Sequence, residues 1–259
     1  MDKVSSSAIQ AVADIPNGAK IAVGGFGLSG IPSVLIEAIV DLGIRDLEVI
    51  SNNCGTDGFG LGRLLSNKQI HRVVASYVGE NKTFASQYLG GELEVELTPQ
   101  GTLAERLRAA GVGIAGFYTR TGVGTQIADG GLPWRYATDG SVAVASPPKT
   151  VSTFDGKEFV LERALPADFA LVRAWKGDRH GNLVFRKAAR NFNPVCAMAG
   201  KIAIAEVENL VEPGEIDPDD VHLPGVYIDR VVALTRAQAK DKHIERLTVR
   251  EPSTETKDV

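Results

Sequence analysis

The sequence has 259 residues, of which 44% are hydrophobic and 23% are charged, the ordinary mixture of a globular protein. This composition excludes a disordered, collagen-like or membrane-embedded chain, and the length suits one large α/β domain or two smaller ones. The 28 Lys and Arg residues stand against 32 Asp and Glu residues, a net charge of −4, which argues against a nucleic-acid partner held by phosphate neutralisation.

The cysteine and histidine patterns do not indicate a metal site. The two cysteines, Cys54 and Cys196, fit neither a zinc motif nor a disulfide framework, and the four histidines lack metal-binding spacing. No stretch approaches the ~18 consecutive apolar residues of a membrane span, and the first residues lack the apolar segment of a signal peptide. We therefore expect a cytoplasmic protein without a membrane partner.

The first part of the chain predicts strands that alternate with helices. Residues 5–15 have the pattern of a short amphipathic helix, and residues 20–23 have that of a buried strand. Apolar residues recur at helical spacing over residues 31–42, and two further strands are predicted at 47–50 and 72–77. This alternation predicts an α/β fold with a mostly parallel or mixed sheet and helices on both faces.

The second part of the chain is less regular. A helix is predicted from Thr98 to Gly111, and the seven glycines of residues 111–131 are typical of a loop that a ligand or partner approaches closely. Short strands are predicted at residues 169–172, 182–185 and 201–205. Because no domain boundary or repeat is visible, we predict one domain over residues 1–247 and a polar tail over residues 248–259.

A glycine-rich turn joins the first predicted strand to the following helix. Residues 25–30 spell G-x-G-x-x-G, so a nicotinamide-dependent enzyme is the first hypothesis. That fold requires an acidic residue at the end of the second strand, where this chain has Ser51, Asn52 and Asn53. The turn and helix N-terminus can still offer main-chain N–H groups to an anion, or can serve only close packing.

Neutral amide side chains form a second feature. Asn52 and Asn53 follow a predicted strand, at the sheet edge where ligand sites of open α/β sheets lie. Their amides can donate to a carboxylate or an oxyanion, or they can simply form a turn. Gln87 is a third neutral donor, in a predicted helix where a surface position is the ordinary explanation.

Two side chains are candidate nucleophiles. Cys54 follows the asparagines, but no histidine is close in sequence, and a buried, inert thiol is the commoner case. Glu80 follows the third predicted strand and could act as a general base or carboxylate nucleophile. A solvated glutamate at the start of a helix is the commoner case for Glu80.

Together these segments resemble the A subunits of the family I coenzyme A transferases. The signature of that family is met by Asn17-Gly18, the apolar residues 21–23, Gly24-Gly25-Phe26, Gly30 and Pro32. The similarity continues through residues 51–55, 76–81, 87–109, 185–193 and 244–250. It thus covers nearly the whole chain.

The resemblance implies transfer of CoA from succinyl-CoA to a 3-oxoacid such as acetoacetate, through an acyl anhydride and a glutamyl-CoA thioester. In that family the nucleophilic glutamate belongs to the B subunit, in a Glu-Asn-Gly sequence, whereas Glu80-Asn81 is followed here by Lys82. The resemblance therefore implies an A2B2 heterotetramer, with this chain inactive alone. It also implies a CoA thioester as substrate and no tightly bound cofactor.

The resemblance also assigns site residues. The implied CoA-contacting segment consists of Gly24, Gly25, Phe26, Gly27, Leu28, Ser29 and Gly30. Asn52, Asn53 and Gln87 match the amides that line the acyl and carboxylate site. Arg120 replaces the proline usual in the family, and it either reaches a substrate carboxylate or is solvated.

Four alternatives remain open on the sequence. They are a CoA-ester hydrolase or ring-opening relative, a 3-oxoadipate CoA-transferase, a nicotinamide-dependent enzyme and a non-catalytic binding module. Tight binding of NADH would indicate the nicotinamide-dependent enzyme, whereas CoA transfer that requires a B subunit would indicate the transferase.

Overall fold

The computed structural model describes residues 1–243, so the predicted tail at 248–259 and the similar segment at 244–250 lie outside the described residues. The strands are β1 (Lys20–Val23), β2 (Leu47–Ile50), β3 (Ile70–Ala75), β4 (Glu94–Leu97), β5 (Gly116–Thr119), β6 (Pro133–Tyr136), β7 (Val142–Ala145), β8 (Val151–Phe154), β9 (Lys157–Arg163), β10 (Ala167–Asp178), β11 (Leu183–Val184), β12 (Gly200–Val211) and β13 (Arg230–Ala233).

The helices are mostly short. They are α1 (Ala8–Val12), α2 (Ser33–Leu42), α3 (Gly62–Ser66), α4 (Lys82–Leu89), α5 (Gln100–Gly111), α6 (Gln126–Asp129), α7 (Asn193–Ala199) and α8 (Arg236–Lys240). Short 3₁₀ turns span Lys187–Arg190, Pro218–Asp220 and Gly225–Tyr227. The sequence predicted α2 and α5 closely, and Gly43 ends α2 in the left-handed conformation expected of a C-terminal glycine.

The central sheet has the strand order β13-β12-β10-β1-β2-β3-β4, and neighbouring strands along this path run parallel. Only the short β11, within the described residues, pairs antiparallel with β10 at this sheet. Ile21 in β1 lies opposite Phe169 on one side and Val49 on the other. The prediction of a mostly parallel sheet is confirmed.

Alternate residues of the strands build two separate apolar layers. Ile21 and Val23 point to the face covered by α1, α2, α3 and Phe84 of α4. Ala22 and Ile50 point to the opposite face, which α5 and α7 cover. This two-sided burial explains why the strands are nearly continuous apolar runs, and it confirms the predicted helices on both faces.

The carboxyl ends of β1 to β4 meet at one edge of the sheet. The main-chain N–H groups just beyond these ends bond back to neighbouring strands, as from Ser51 to Val74 at 3.1 Å and from Thr98 to Ala75 at 2.9 Å. The following loops therefore leave the sheet side by side. We refer to this region as the carboxyl edge.

Two small antiparallel sheets lie outside the central sheet. One has the order β5-β9-β8 and the other pairs β6 with β7. The Tyr88 hydroxyl donates to the Pro133 carbonyl at 2.6 Å, and Arg106 Nε donates to the Arg163 carbonyl at 2.9 Å, which attaches both sheets to helices of the main body. The glycine-rich segment 111–131 was predicted as a loop, but in the structure it contains β5 and α6.

No helix within residues 1–243 is both long and apolar enough to span a membrane.

Candidate functional site

The glycine turn after β1 reverses the chain sharply before α2. The N–H of Phe26 donates to the carbonyl of Ser29 at 3.0 Å, and the N–H of Ser29 donates to the carbonyl of Phe26 at 2.9 Å. Gly25, Gly27 and Gly30 have φ values of 109°, 57° and 72°. Since side chains strain such conformations, the turn requires glycine there. The Phe26 side chain is left 45% exposed.

A second sharp reversal, from Gly55 to Gly60, lies beside this turn. Thr56 and Phe59 form its antiparallel bridge. A Cβ atom added at Gly55 or Gly60 would lie 3.0 or 3.1 Å from Cδ2 of Leu28. The two reversals therefore pack against each other at the carboxyl edge, and glycine allows their close approach.

Asn53 connects the β2 loop to the glycine turn. Its Oδ1 accepts the main-chain N–H of Gly27 at 2.9 Å, and the residue is only 6% exposed. One of the three predicted site amides thus fixes the turn through its oxygen.

Asn52 is fully buried, and its amide oxygen is held from two sides. Oδ1 accepts from the hydroxyl of Ser76 at 2.8 Å and from Nε2 of Gln100 at 2.9 Å. Its amide nitrogen, Nδ2, has no hydrogen-bond partner among the described residues. A buried donor without a partner costs about 1–3 kcal/mol, so the arrangement favours a ligand oxygen at Nδ2.

The two glutamines of this region are placed differently. Gln87, on α4, donates from Nε2 to the carbonyl of Leu65 at 2.8 Å, at the end of α3. Gln100, at the first position of α5, contacts Asn52 instead. Gln100 was not predicted from the sequence. The signal for it was its position three residues after the end of β4, whose carboxyl end shares an edge with that of β2.

The segment before α7 supports the glycine turn from outside. Asn191 Nδ2 donates to the carbonyl of Ser29, and Asn193 Nδ2 donates to that of Gly30, each at 3.0 Å. A Cβ atom at Gly30 would lie 2.9 Å from Cα of Ala189. The similarity found in residues 185–193 therefore belongs to a segment that holds the turn.

The same segment carries exposed positive charge. Arg186, Lys187 and Arg190 are exposed in and beside its 3₁₀ turn. The Arg186 guanidinium and the Lys176 ammonium lie 5.3 and 5.1 Å from the ring centroid of Trp175. Ala189, in the same 3₁₀ turn as Lys187 and Arg190, packs against Gly30, so this positive charge lies in a segment that contacts the glycine turn.

The start of α2 is not open to an external anion. The N–H groups of Val34 and Leu35 both donate to Oε2 of the buried Glu206, at 3.0 Å each. These are the groups that would bind a pyrophosphate in a dinucleotide fold. Because Glu206 occupies them and β2 is followed by Ser51 and two asparagines, the nicotinamide hypothesis finds no support.

The two candidate nucleophiles have ordinary environments. Cys54 is fully buried, and burial raises the pKa of its thiol well above the usual range. Glu80 is exposed. The next residue, Asn81, is structural, because its Oδ1 caps α4 at the N–H of Phe84 and its Nδ2 donates to the Cys54 carbonyl.

Other predicted features can be located as well. Arg120 is exposed, directly after β5, and its carbonyl accepts the N–H of Val123 at 3.2 Å in a turn. Within residues 1–243, no three His, Cys, Asp or Glu side chains lie close enough together to hold a metal ion.

Known proteins with similar sequences place this chain in a family. The profile of the coenzyme A transferase family matches residues 5–234. A Mycobacterium tuberculosis protein, named as the probable A subunit of a succinyl-CoA:3-ketoacid coenzyme A transferase, is 66% identical over 251 residues, 97% of this chain and 100% of that protein. A Bacillus subtilis protein of the same name is 54% identical over 253 residues, 98% of each chain.

The fold is similar to that of an acyl-CoA transferase apoenzyme from Escherichia coli O157:H7. The TM-score is 0.76 at 24% identity, over 92% of this chain and 48% of that chain. At this identity the likeness concerns the fold alone. The family match over residues 5–234 and the two near-complete relatives carry the assignment, and the chain belongs to the coenzyme A transferase family.

Proposed function

We propose that this chain is the A subunit of a succinyl-CoA:3-oxoacid CoA-transferase and forms half of a site whose nucleophile comes from a partner B subunit. The names of relatives at 66% and 54% identity support the substrates and the type of subunit. One observation carries the proposal for the site: Asn52 is buried at the carboxyl edge with its Nδ2 unpartnered among the described residues.

In the proposed reaction, a glutamate carboxylate of the partner attacks the thioester carbonyl of succinyl-CoA. The C–S bond breaks, the CoA thiolate departs, and the succinyl group remains joined to the glutamate as an acyl anhydride. The thiolate then attacks the glutamyl carbonyl, which releases succinate and forms a glutamyl-CoA thioester. The carboxylate of the 3-oxoacid then attacks the glutamyl-CoA carbonyl, which releases the CoA thiolate and forms a second anhydride. The thiolate attacks the 3-oxoacyl carbonyl of this anhydride, which forms the CoA ester of the 3-oxoacid and frees the glutamate. Each attack places negative charge on a carbonyl oxygen, which neutral N–H donors stabilise.

The amides of this chain have distinct tasks in the proposal. Asn52 donates from Nδ2 to the developing oxyanion, while Ser76 and Gln100 orient the amide through its oxygen. Asn53 holds the glycine turn in place. Gln87 is the second proposed donor, through the second hydrogen of Nε2, since the first is bonded to the carbonyl of Leu65.

The glycine turn Gly24–Gly30 is the proposed contact for CoA. In this turn Phe26 is exposed and Ser29 and Gly30 are half-buried, and Gly30 packs against Ala189 in the 3₁₀ turn that carries the exposed cations Lys187 and Arg190. These cations suit the phosphates of CoA, which carry several negative charges. We propose CoA thioesters as substrates that bind and leave, without a tightly bound cofactor.

Exposed aromatic side chains support a protein partner at the carboxyl edge. Phe26, Phe59 and Tyr77 are 45%, 42% and 50% exposed, and aromatic residues are enriched in protein interfaces. We propose that the B subunit covers this edge in an A2B2 assembly. The free, buried thiols Cys54 and Cys196 suit the reducing cytoplasm, where we propose that the protein acts.

The decisive experiment compares this chain alone with its complex with the B subunit. We expect the complex, but not the chain alone, to form acetoacetyl-CoA from succinyl-CoA and acetoacetate. Incubation with succinyl-CoA alone should add the mass of CoA less one water molecule to the partner subunit in an intact-mass measurement. A CoA adduct on this chain, or full transfer by this chain alone, would overturn the proposal.

The same assay, together with a measurement of NADH binding, distinguishes the alternatives. Release of free CoA without an acceptor would indicate a CoA-ester hydrolase. A strong preference for 3-oxoadipate over acetoacetate would keep the transferase and change the acceptor. Tight binding of NADH would revive the nicotinamide-dependent enzyme.

A further inference from the structure

A buried carboxylate holds the start of α2. Glu206 lies on β12 and is 0% exposed. Its Oε2 accepts the N–H groups of Val34 and Leu35 at 3.0 Å each, and its Oε1 accepts from Nη1 of Arg173 at 3.2 Å. One side chain therefore joins β10 and β12 to the first turn of α2.

The charges around Glu206 are few and nearly balanced. Arg173, on β10, also donates from Nε to Oε1 of Glu208 at 3.2 Å and from Nη2 to two main-chain carbonyls of α8. Lys242 forms an ion pair with Glu208 at 2.8 Å. The first turn of α2 carries no acidic side chain. Burial raises the pKa of Glu206 to about 7, while Arg173 and the two N–H groups act in the opposite direction.

The partners of Glu206 are all donors. Two are main-chain N–H groups and the third is a guanidinium. Only a group that accepts on both oxygens can satisfy them, and an ionised carboxylate does so. A glutamine at this position would turn its NH2 group toward one of the donors. The carboxylate charge also stabilises the positive end of the helix dipole.

The position of α2 bears directly on the glycine turn. The helix begins at Ser33, three residues after Gly30. A Cβ atom at Gly30 would already lie 2.9 Å from Ala189, so the turn has no room to absorb a shift of the helix. A displaced first turn of α2 would therefore displace the residues before it.

We propose that Glu206 is a positioning residue for the thioester site: its carboxylate fixes the first turn of α2 and, through it, the turn Gly24–Gly30. The inference rests on the proposed function, in which that turn contacts CoA. Because the turn would contact CoA before and during the reaction alike, misplacing it weakens substrate binding more than it slows the chemistry.

The test compares the variants Glu206→Gln and Glu208→Gln, each in complex with the B subunit. Glu208 is the matched control, because it lies on β12 like Glu206 and also binds Arg173. We expect Glu206→Gln to raise the KM for succinyl-CoA about tenfold with kcat within about threefold, and Glu208→Gln to change neither. Hydrogen exchange of the amides of residues 24–36 should quicken in Glu206→Gln only.

If Glu206→Gln does not assemble, Glu206→Asp is measured instead. Aspartate keeps the charge but is one methylene shorter, so a smaller rise in KM and faster exchange at residues 24–36 are expected. Unchanged KM and unchanged exchange in the folded variants would overturn the inference. The exchange measurement needs no substrate, so it tests the positioning role even where the wild-type complex transfers no CoA and the proposed function itself has failed.

Discussion

Replacing Asn52 by alanine removes the buried amide on which the proposed site depends. Where Nδ2 donates to a developing oxyanion, losing one such donor lowers kcat by about 10²–10³-fold. Alanine also leaves Ser76 and Gln100 without the Oδ1 acceptor, but Gln100 is exposed and the half-buried Ser76 hydroxyl keeps the main-chain carbonyl of position 52 at 3.2 Å, so each lost hydrogen bond costs about 0.5–1.5 kcal/mol of stability. For a chain of this size that loss lowers Tm by about 2–4 °C per kcal/mol. The folded complex therefore persists, and the kinetic loss exceeds the loss of folded protein.

The assay follows acetoacetyl-CoA formation by the purified complex, with Tm and complex formation measured on the same samples. Ser76→Ala is the matched control, since it removes one hydroxyl from Oδ1 and leaves the Asn52 amide intact. A hydrogen bond of this kind contributes about 0.5–1.5 kcal/mol, so the control should lose roughly tenfold at most. An assembled Asn52→Ala complex with turnover within about twofold of wild type would refute the oxyanion role.

Four further predictions concern two amides, the turn and the buried carboxylate. Gln87→Ala should lower transfer by about 10–1,000-fold if the second hydrogen of Nε2 reaches the oxyanion, whereas equal turnover would remove it from the site. Gln100→Ala should lower kcat less than Asn52→Ala does, because Gln100 only orients that amide. Gly30→Ala should destabilise the chain by about 1–3 kcal/mol more than Gly18→Ala, measured by denaturant unfolding. Both glycines have positive φ, but nothing lies within 4 Å of the Cβ position at Gly18. For Glu206 the folded pKa lies above the usual value, so the native state binds the extra proton, and the free energy of unfolding should fall as pH rises toward about 7. Glu206→Gln should lack that component of the slope, and an unchanged slope would contradict the assignment.

The central sheet was predictable because its strands are buried on both faces. Lys20–Val23 and Leu47–Ile50 are short apolar runs bounded by turn residues, and α2 shows one apolar face at helical spacing. The prediction shortened β12 to residues 201–205, because Glu206 and Glu208 interrupt the apolar pattern. Their charges are balanced by Arg173 on the neighbouring strand, a pairing that local sequence does not reveal.

The site was predictable only in part for a related reason. Asn52 and Asn53 stand at the end of a clear strand, so the sheet edge indicated them. Gln100 and Glu206 reach the same region from distant parts of the chain, 48 and 154 residues after Asn52. Strand β5 was hidden in the glycine-rich segment because its partner, β9, lies more than 40 residues further on.

The two small sheets are formed by the segment between α5 and β10, and the chain re-enters the central sheet at β10, beside β1. β10 pairs with β1 and β12, and neither small sheet contributes a strand to the central sheet. The segment that forms the small sheets is therefore an insertion in the connection between α5 and β10. A change in the length of this connection should leave the register of the central strands unchanged, provided that the contacts of Tyr88 and Arg106 with the small sheets are kept. Evolution and protein engineering alike could reshape that outer region while keeping the carboxyl edge intact.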